Sequence, residues 1–409
     1  MPRYIGLDLH KASVVGCEWQ PDAEAGHQET PFRCPTTPEG WSQLLTHLGG
    51  DAIVAIEVTG NAFEVYDTLL PHAREVVVAN PLEMRRLGSG KHTDKGDAAR
   101  LAKMLAMGVL PTVWVPPPSV RAVRRLLAGR ERLLSMRTAA INQLKAIGRR
   151  HGLAWEWRDH DPRLATLTQE LEADEWVLFE AARRQVAALD VSLRDVEGEI
   201  LGRLKDDPPC RPLRTIPGVG PITAATIWAA IGDPRRFRTA KQVARYAGLD
   251  PTVMQSGERD QRGRISKNGS RPRRTVLVEA AHVVSRHDEG SLGTWYARVA
   301  PAKGRNKSTV ALARKLLILA WKLMLKGQDY RDMKPERVRR KLAQLDKQVE
   351  QRPQGDQPAT PPAPRPAPHP HPAQRVTSAK ARGAVSARRG ADYPARRGFP
   401  ADRRGCLRW

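Results

Sequence analysis

The feature that most constrains this chain is its first apolar run, Tyr4-Ile5-Gly6-Leu7-Asp8-Leu9-His10. It reads as a short buried strand that ends in a carboxylate. An acid in that place is usually a turn residue, but three later acids change that reading. Glu57 closes the apolar run Ile53-Val54-Ala55-Ile56, and Asp94 and Asp97 open a helix. Acids at two strand ends and one helix start are able to meet at the rim of a single sheet. Such a cluster repels itself unless divalent cations sit in it, so the four are a candidate Mg²⁺ or Mn²⁺ site.

Residues 3 to about 80 alternate strands and helices. Val14–Trp19 follows the first strand after a tight polar turn, which predicts a hairpin. Thr37 to Leu48 reads as a capped helix, followed by the strand ending at Glu57, a helix near Ala62–Leu70 and the strand Glu75–Ala79, broken by Asn80-Pro81. Mixed strands followed by β-α-β alternation suit an α/β domain of ribonuclease-H type. The helix opening at Asp94 carries Ala98, Leu101, Ala102 and Leu105 on one face, and Asp94 and Asp97 project from one side of its first turn. Capping is the competing reading for this pair, because Asp is favoured at helix starts.

Pro116-Pro117-Pro118 marks a boundary. Ser119 to about Leu204 is rich in helix formers, in two stretches broken around His151–Pro162. Arg130 and Arg137 interrupt the heptads, so an antiparallel helical hairpin, a coiled-coil arm for spacing and self-association, fits better than a long parallel coiled coil. Pro208-Pro209 ends it. The run Leu213 to Ile227 then resembles a helix-hairpin-helix element, whose Gly218-Val219-Gly220 turn would expose backbone N–H groups to a phosphate; a plain turn between packed helices is the alternative. Ala247-Gly-Leu-Asp-Pro-Thr-Val-Met-Gln-Ser-Gly257 leads into a basic, Gly-rich loop that carries Arg259, Arg262, Arg264, Lys267, Arg271, Arg273 and Arg274 against Asp260 alone. A loop of one sign held between helices reads as a contact to a phosphate backbone. Helical patterns resume at Thr275–Arg286, Leu292–Val299 and Ser308–Leu325.

Charge decides the class of partner. Lys+Arg outnumber Asp+Glu 68 to 44 in 409 residues, a net charge of +24 and a pI near 10.5. That excess points to nucleic acid ahead of an anionic membrane, since no basic stretch is paired with a strongly apolar face. After about Gln351, 59 residues hold 11 Pro and 12 Lys+Arg against 3 acids, a composition that cannot form a core and is expected to be disordered. This tail supplies +9, which leaves +15 on residues 1–350. Cys17, Cys34, Cys210 and Cys406 lie far apart, with neither a CxxC nor a zinc spacing. No signal peptide precedes Tyr4, and no apolar run is long enough to span a membrane. The expectation is a reduced, soluble, cytosolic protein with no membrane partner.

The order Asp8, Glu57, Asp94, Asp97, a helical spacer, Ile216-Pro-Gly-Val-Gly-Pro, Ala247-Gly-Leu-Asp-Pro, Ser256-Gly257 and Gly263-Arg-Ile-Ser-Lys-Asn-Gly269 closely resembles the DEDD-type insertion-sequence transposases, the bridge-RNA-guided recombinases. The resemblance covers roughly residues 3–327, with two independent motif sets in the right order. It implies a RuvC-like domain over residues 1–115, in which Asp8, Glu57, Asp94 and Asp97 hold Mg²⁺. It also implies that the helical arm over 119–205 leads into a mainly α transposase domain over 210–330; the residues themselves add a terminal helix over 331–350 and the tail over 351–409, which runs past the family's usual end. The serine nucleophile falls on Ser256, whose Ser-Gly follows the Gly-Leu-Asp-Pro turn, with Ser266 and Ser270 nearby. A phosphoserine link to DNA keeps the transfer potential of the broken bond, so strands are rejoined without ATP, in keeping with the absence of a Walker P-loop. The implied partners are donor and target DNA, a structured guide RNA, and further copies of the chain in a dimer or tetramer.

Three other readings compete with this one. A RuvC-like nuclease would keep the metal site and cut branched DNA with water. A catalytically dead nucleic-acid-binding protein of a decayed element would need none of the four acids. The third is a sugar-kinase-like ATPase, whose fold also opens with Ile-Gly-Leu-Asp. It is set aside because Leu9-His10-Lys11 follows where a phosphate loop needs Gly or Ser/Thr.

Overall fold

The computed structural model describes residues 3–20, 26–87, 93–153, 156, 158, 161–256 and 259–350, with the backbone alone for 253–256 and 259–262. The expectation for the tail, 351–409, lies outside these residues.

Six strands form the first sheet. β1 (Arg3–Leu9) pairs antiparallel with β2 (Ser13–Gln20), and β2 with β3 (Gln28–Pro35). Helix α1 (Pro38–Leu48) starts where the Thr37 hydroxyl accepts the Gly40 N–H, and it returns the chain to β4 (Ala52–Glu57), parallel to β1. Helix α2 (Ala62–Leu69) leads to β5 (Glu75–Ala79), parallel to β4. Helices α3 (Pro81–Leu87) and α4 (Asp94–Ala106) precede β6 (Thr112–Val113), which closes the edge antiparallel to β5. The order is β3-β2-β1-β4-β5-β6.

Strand alternation divides the side chains between two faces. Ile5, Leu7, Val14, Val54, Ile56, Val76 and Val78 pack under α1 and α2 with Leu44, Leu48, Val65 and Leu69. The opposite face carries Val15, Cys17, Ala55 and Ala79, and it receives Ala98 and Leu101 of α4. Gly6 lies beneath that helix. A Cβ there would overlap the Ala98 carbonyl oxygen and sit 2.6 Å from the Ala102 nitrogen, so only glycine lets α4 lie this close to β1. Asp8 and Glu57, two residues beyond Gly6 and Ala55, therefore emerge on the face that α4 covers.

The expected helical hairpin is α5 (Pro118–Arg150) packed on α7 (Ala173–Leu204), with the short α6 (Arg163–Glu170) between them. The arginines that break the heptads are the cross-links. Arg130 pairs with Glu197 at 2.7 Å, Arg137 with Asp190, and Arg150 and His151 with Glu175 at 2.9 and 2.6 Å. Partners that descend as α5 ascends establish the antiparallel sense. At the arm's base, Arg121 donates to both carboxylate oxygens of Asp67 at 2.8 and 2.7 Å and to the Phe63 carbonyl at 3.1 Å, which ties α5 to α2.

The remainder is mostly helical: α8 (Pro221–Ile231), α9 (Ala240–Tyr246), a hairpin of β7 (Pro251–Ser256) and β8 (Arg259–Ile265), then α10 (Arg271–His287), α11 (Ser291–Lys303), α12 (Arg305–Lys326) and α13 (Pro335–Glu350). Its core, with Leu213, Ile216, Val219, Leu277, Leu312 and Leu316 fully or almost fully buried, extends into the arm through Val120, Val123, Ile200 and Leu204. No helix of the described residues is long and apolar enough to cross a membrane.

Two expectations change. The basic segment from Arg259 is not a free loop: 259–265 is strand β8, paired with β7 from Ser256↔Arg259 to Pro251↔Ile265, and Arg271 already begins α10. Repeated arginine and glycine conceal a strand, because no apolar alternation marks it. Ahead of Gly218, the first helix of the expected helix-hairpin-helix is only a 3₁₀ turn, Arg211–Thr215, since Pro208, Pro209 and Pro212 interrupt the hydrogen bonding an α-helix needs.

Candidate active site

Three elements bring the four acids together. In the parallel pairing of β1 and β4, Leu7 lies opposite Ile56, so Asp8 and Glu57 are the next residues on adjacent strands. The first turn of α4 supplies Asp94 and Asp97. Capping does not account for Asp94: the Thr93 hydroxyl accepts the Gly96 N–H at 3.2 Å and serves as the N-cap. The Asp94 carboxylate is more than half exposed, whereas that of Asp97 is a quarter exposed and accepts a 2.8 Å hydrogen bond from Arg100.

Asp8 and Glu57 both feel the charge of acids around them. Burial raises the Asp8 carboxyl above the usual aspartate range; His10 opposes that shift, and the negative charges of Asp94 and Asp97 add to it. Burial also raises Glu57, helped by Asp8 and Asp97 and countered by Arg85 and Arg100. Mutual repulsion between half-buried carboxylates is what a bound cation relieves.

Sequence reasoning passed over His10. Its Nε2 lies 3.2 Å from Oδ2 of Asp8 and 3.4 Å from Oδ2 of Asp94, and single donor atoms of the three residues fall within 4.8 Å of one another. The residue follows Leu9 at the tight β1–β2 turn, where the His10 N–H donates to the Ser13 carbonyl at 2.9 Å. Two carboxylates and an imidazole at this spacing are a workable donor set for a divalent ion.

The serines differ in their surroundings. Ser256 ends β7 opposite Arg259, at the turn of the hairpin; its side chain, like those of Arg259 and Arg262, lies outside the described residues. Ser266 is held in place, its hydroxyl donating to Oδ1 of Asp250 at 2.5 Å while its N–H donates to the Asp250 carbonyl at 2.8 Å. Ser270 occupies the residue before α10.

The basic residues divide as well. Arg264, Lys267 and Arg271 are exposed, whereas Arg273 and Arg274 are turned inward. Arg274 donates to the Asn268 and Gly269 carbonyls at 3.0 and 3.1 Å, and the Arg273 guanidinium lies 5.1 Å from the Tyr246 ring. Tyr246 belongs to a cluster that the sequence did not announce. Arg236 lies 4.2 Å from the Phe237 ring and 4.4 Å from both Trp114 and Tyr246, and it donates to the Ile231 and Ala230 carbonyls that end α8. Burial raises the Tyr246 phenol, but Arg273, Arg124 and Arg236 outweigh it and bring the phenol down to about 8. At the Gly218 turn (φ 73°), a Cβ would sit 2.5 Å from the Ala280 carbonyl oxygen. The Val219 N–H donates to the Ile216 carbonyl at 3.2 Å, so this turn packs on α10, while Gly220 borders open space.

Comparison with known proteins gives these observations a family. Residues 5–148 match the family model of the DEDD transposases of IS110 type, and residues 210–297 match the model described as "Transposase IS116/IS110/IS902 family". The chain is 27% identical over 290 residues to the transposase for insertion sequence element IS1111A of Coxiella burnetii, covering 68% of this chain and 79% of that protein. It is 30% identical over 283 residues to the putative transposase y4rJ of Sinorhizobium fredii, covering 62% and 71%. It is 25% identical over 344 residues to the pilin gene-inverting protein of Moraxella bovis, covering 80% and 97%. The chain belongs to the IS110/IS116/IS902 family of DEDD transposases, enzymes that recombine DNA.

Proposed function

We propose that this transposase cuts and rejoins DNA at a divalent-metal centre formed by Asp8, Glu57, Asp94 and Asp97, with Ser256 as the nucleophile. The observation that carries the reading is the geometry: Asp8 and Glu57 at the ends of adjacent strands, Asp94 and Asp97 at the start of α4, and His10 between Asp8 and Asp94. The sheet order supports a RuvC-like, ribonuclease-H type domain: an antiparallel β1-β2-β3 meander extended by parallel β4 and β5. A bound Mg²⁺ or Mn²⁺ supplies charge neutralisation at the phosphoryl group and a more acidic attacking hydroxyl. The carboxylates orient that charge, and Arg100 holds Asp97 in place.

The chemical step is a transesterification. The seryl oxygen forms a bond to phosphorus, one P–O bond of the DNA strand breaks, and the seryl proton ends on the departing sugar hydroxyl. Ester bonds are conserved, so the reverse attack by a new hydroxyl rejoins strands without ATP. Ser256 is favoured over Ser266 because Asp250 engages the latter, and the hairpin places Ser256 at its turn. Guidance by a structured RNA and assembly in a dimer or tetramer, so that one subunit's acids serve another's serine, complete the reading; both rest on the family resemblance. The charge of +15 on residues 1–350 suits two polyanions.

The reading is tested by cleavage of labelled DNA that carries the element junction, in the presence of the non-coding RNA flanking the element. Cleavage is expected with Mg²⁺ or Mn²⁺ and lost with chelator, in Asp8→Asn and in Glu57→Gln, while DNA binding persists. Cleavage at the wild-type rate in either variant contradicts a shared metal centre.

A further inference from the structure

A second concavity lies apart from the acids and from the β7–β8 hairpin. It occupies about 590 Å³ between α11, α12 and the residues leading to α13, a size typical of small-molecule sites. Its lining has an unusual composition. Arg298, Lys315, Lys322 and Arg331 supply four cations, no carboxylate residue contributes, and Trp295 presents a half-buried indole. The Lys315 ammonium lies 5.1 Å from the Trp295 ring centroid, and a 2.8 Å hydrogen bond between the Ser291 and Tyr330 hydroxyls joins two parts of the wall. Arg331 pairs with Asp332 at 3.4 Å, outside the lining, while Arg298, Lys315 and Lys322 are exposed.

We infer that this concavity binds an unpaired nucleotide of a nucleic-acid strand, with its base on Trp295 and its flanking phosphates on Arg298, Lys315 and Lys322. An aromatic face within a cationic rim is the combination that single strands require, since every base has a face to stack and every linkage carries a charge. A duplex keeps its bases stacked inward and can use only the rim. The Lys315 ammonium already marks the indole face as a site for a planar or cationic group, and its flexible stem lets it move to a phosphate when a base takes that place. Strand cutting and rejoining produces unpaired ends, so such a site has a use in this enzyme. The inference goes beyond the catalytic reading and stands whether or not Ser256 is the nucleophile.

The test uses the full chain and three fluorescein-labelled probes: a 12-nucleotide DNA strand, the RNA of the same sequence, and the DNA duplex. Trp295→Ala is expected to weaken binding of a single strand about tenfold, with Trp295→Phe retaining most of it and duplex binding unchanged. The probe that loses most, DNA or RNA, identifies the source of the strand. Arg298→Glu with Lys322→Glu leaves the apolar packing intact and is expected to lower the salt dependence of single-strand binding by about 0.7 per lost contact. Photocrosslinking with 5-bromouracil in the strand should label Trp295. The inference is overturned if Trp295→Ala weakens duplex and single strand equally, if Phe rescues no better than Ala, or if cross-links fall elsewhere while binding is unaffected.

Discussion

The imidazole of His10 stands between two carboxylates from different elements, with Nε2 3.4 Å from Asp94 on α4 and 3.2 Å from Asp8 on β1. The contact links the strand end to the helix start. His10→Ala should therefore lower Mn²⁺ affinity about tenfold, the scale of a lost orienting contact. Asp94→Asn should lower it further. Isothermal calorimetry with Mn²⁺ checks both, and unchanged affinity in His10→Ala would remove the histidine from the site.

Gly6 sets the height of α4 above the sheet. Gly6→Ala should cost about 1–3 kcal/mol, as overpacking does, because the new methyl group meets backbone atoms of Ala98 and Ala102 that cannot rotate away. Urea denaturation measures the cost. DNA cleavage should fall as well, since the displaced helix carries Asp94 and Asp97; wild-type stability and cleavage together would contradict this packing.

Arg236 ends α8 and stacks on three rings at once. Arg236→Ala removes two charge-assisted hydrogen bonds and the ring contacts, an expected loss of about 3 kcal/mol. Arg124 also donates to the Ala229 and Ala230 carbonyls, so the Arg124→Ala/Arg236→Ala double variant should lose more than the sum of the single changes. Strict additivity would show that the two guanidiniums act independently.

Tyr246 should ionise near pH 8, about two units before an ordinary tyrosine. The sign follows from the depressed folded value: the unfolded chain holds the proton longer, so the stabilisation is complete above the unfolded value and is lost as pH falls through about 8. Ultraviolet difference titration of wild type against Tyr246→Phe should show one phenolate appearing near pH 8 in wild type alone. A first tyrosinate at pH 10 in both proteins would contradict the arginine cluster.

Much of the N-terminal sheet is legible because β1, β4 and β5 are apolar runs closed by recognisable stops. The acids at strand ends stood out for the same reason. Thr37 marks the start of α1 by its cap, whereas the cap Thr93 is obscured by the acids that follow it. His10 carried no local signal, since its position matters only once α4 descends onto Gly6. The polar strand β3 went unread because its residues are largely exposed and no apolar alternation marks them. Strand β8 was hidden by its arginines, and the Trp114–Arg236–Tyr246 cluster assembles residues more than 100 positions apart. Periodicity reports what one element buries; it does not report which elements meet.

The most direct test of the account is covalent trapping. Protein, the non-coding RNA flanking its element, Mg²⁺ and labelled junction DNA are incubated and separated on a denaturing gel. The account predicts a slow-migrating protein–DNA adduct with wild type and with Ser266→Ala, and none with Ser256→Ala or Asp94→Ala. Omitting the RNA should abolish it. Free cleaved DNA without an adduct, equal in amount for wild type and Ser256→Ala, would contradict the serine mechanism and leave the acids as a hydrolytic nuclease.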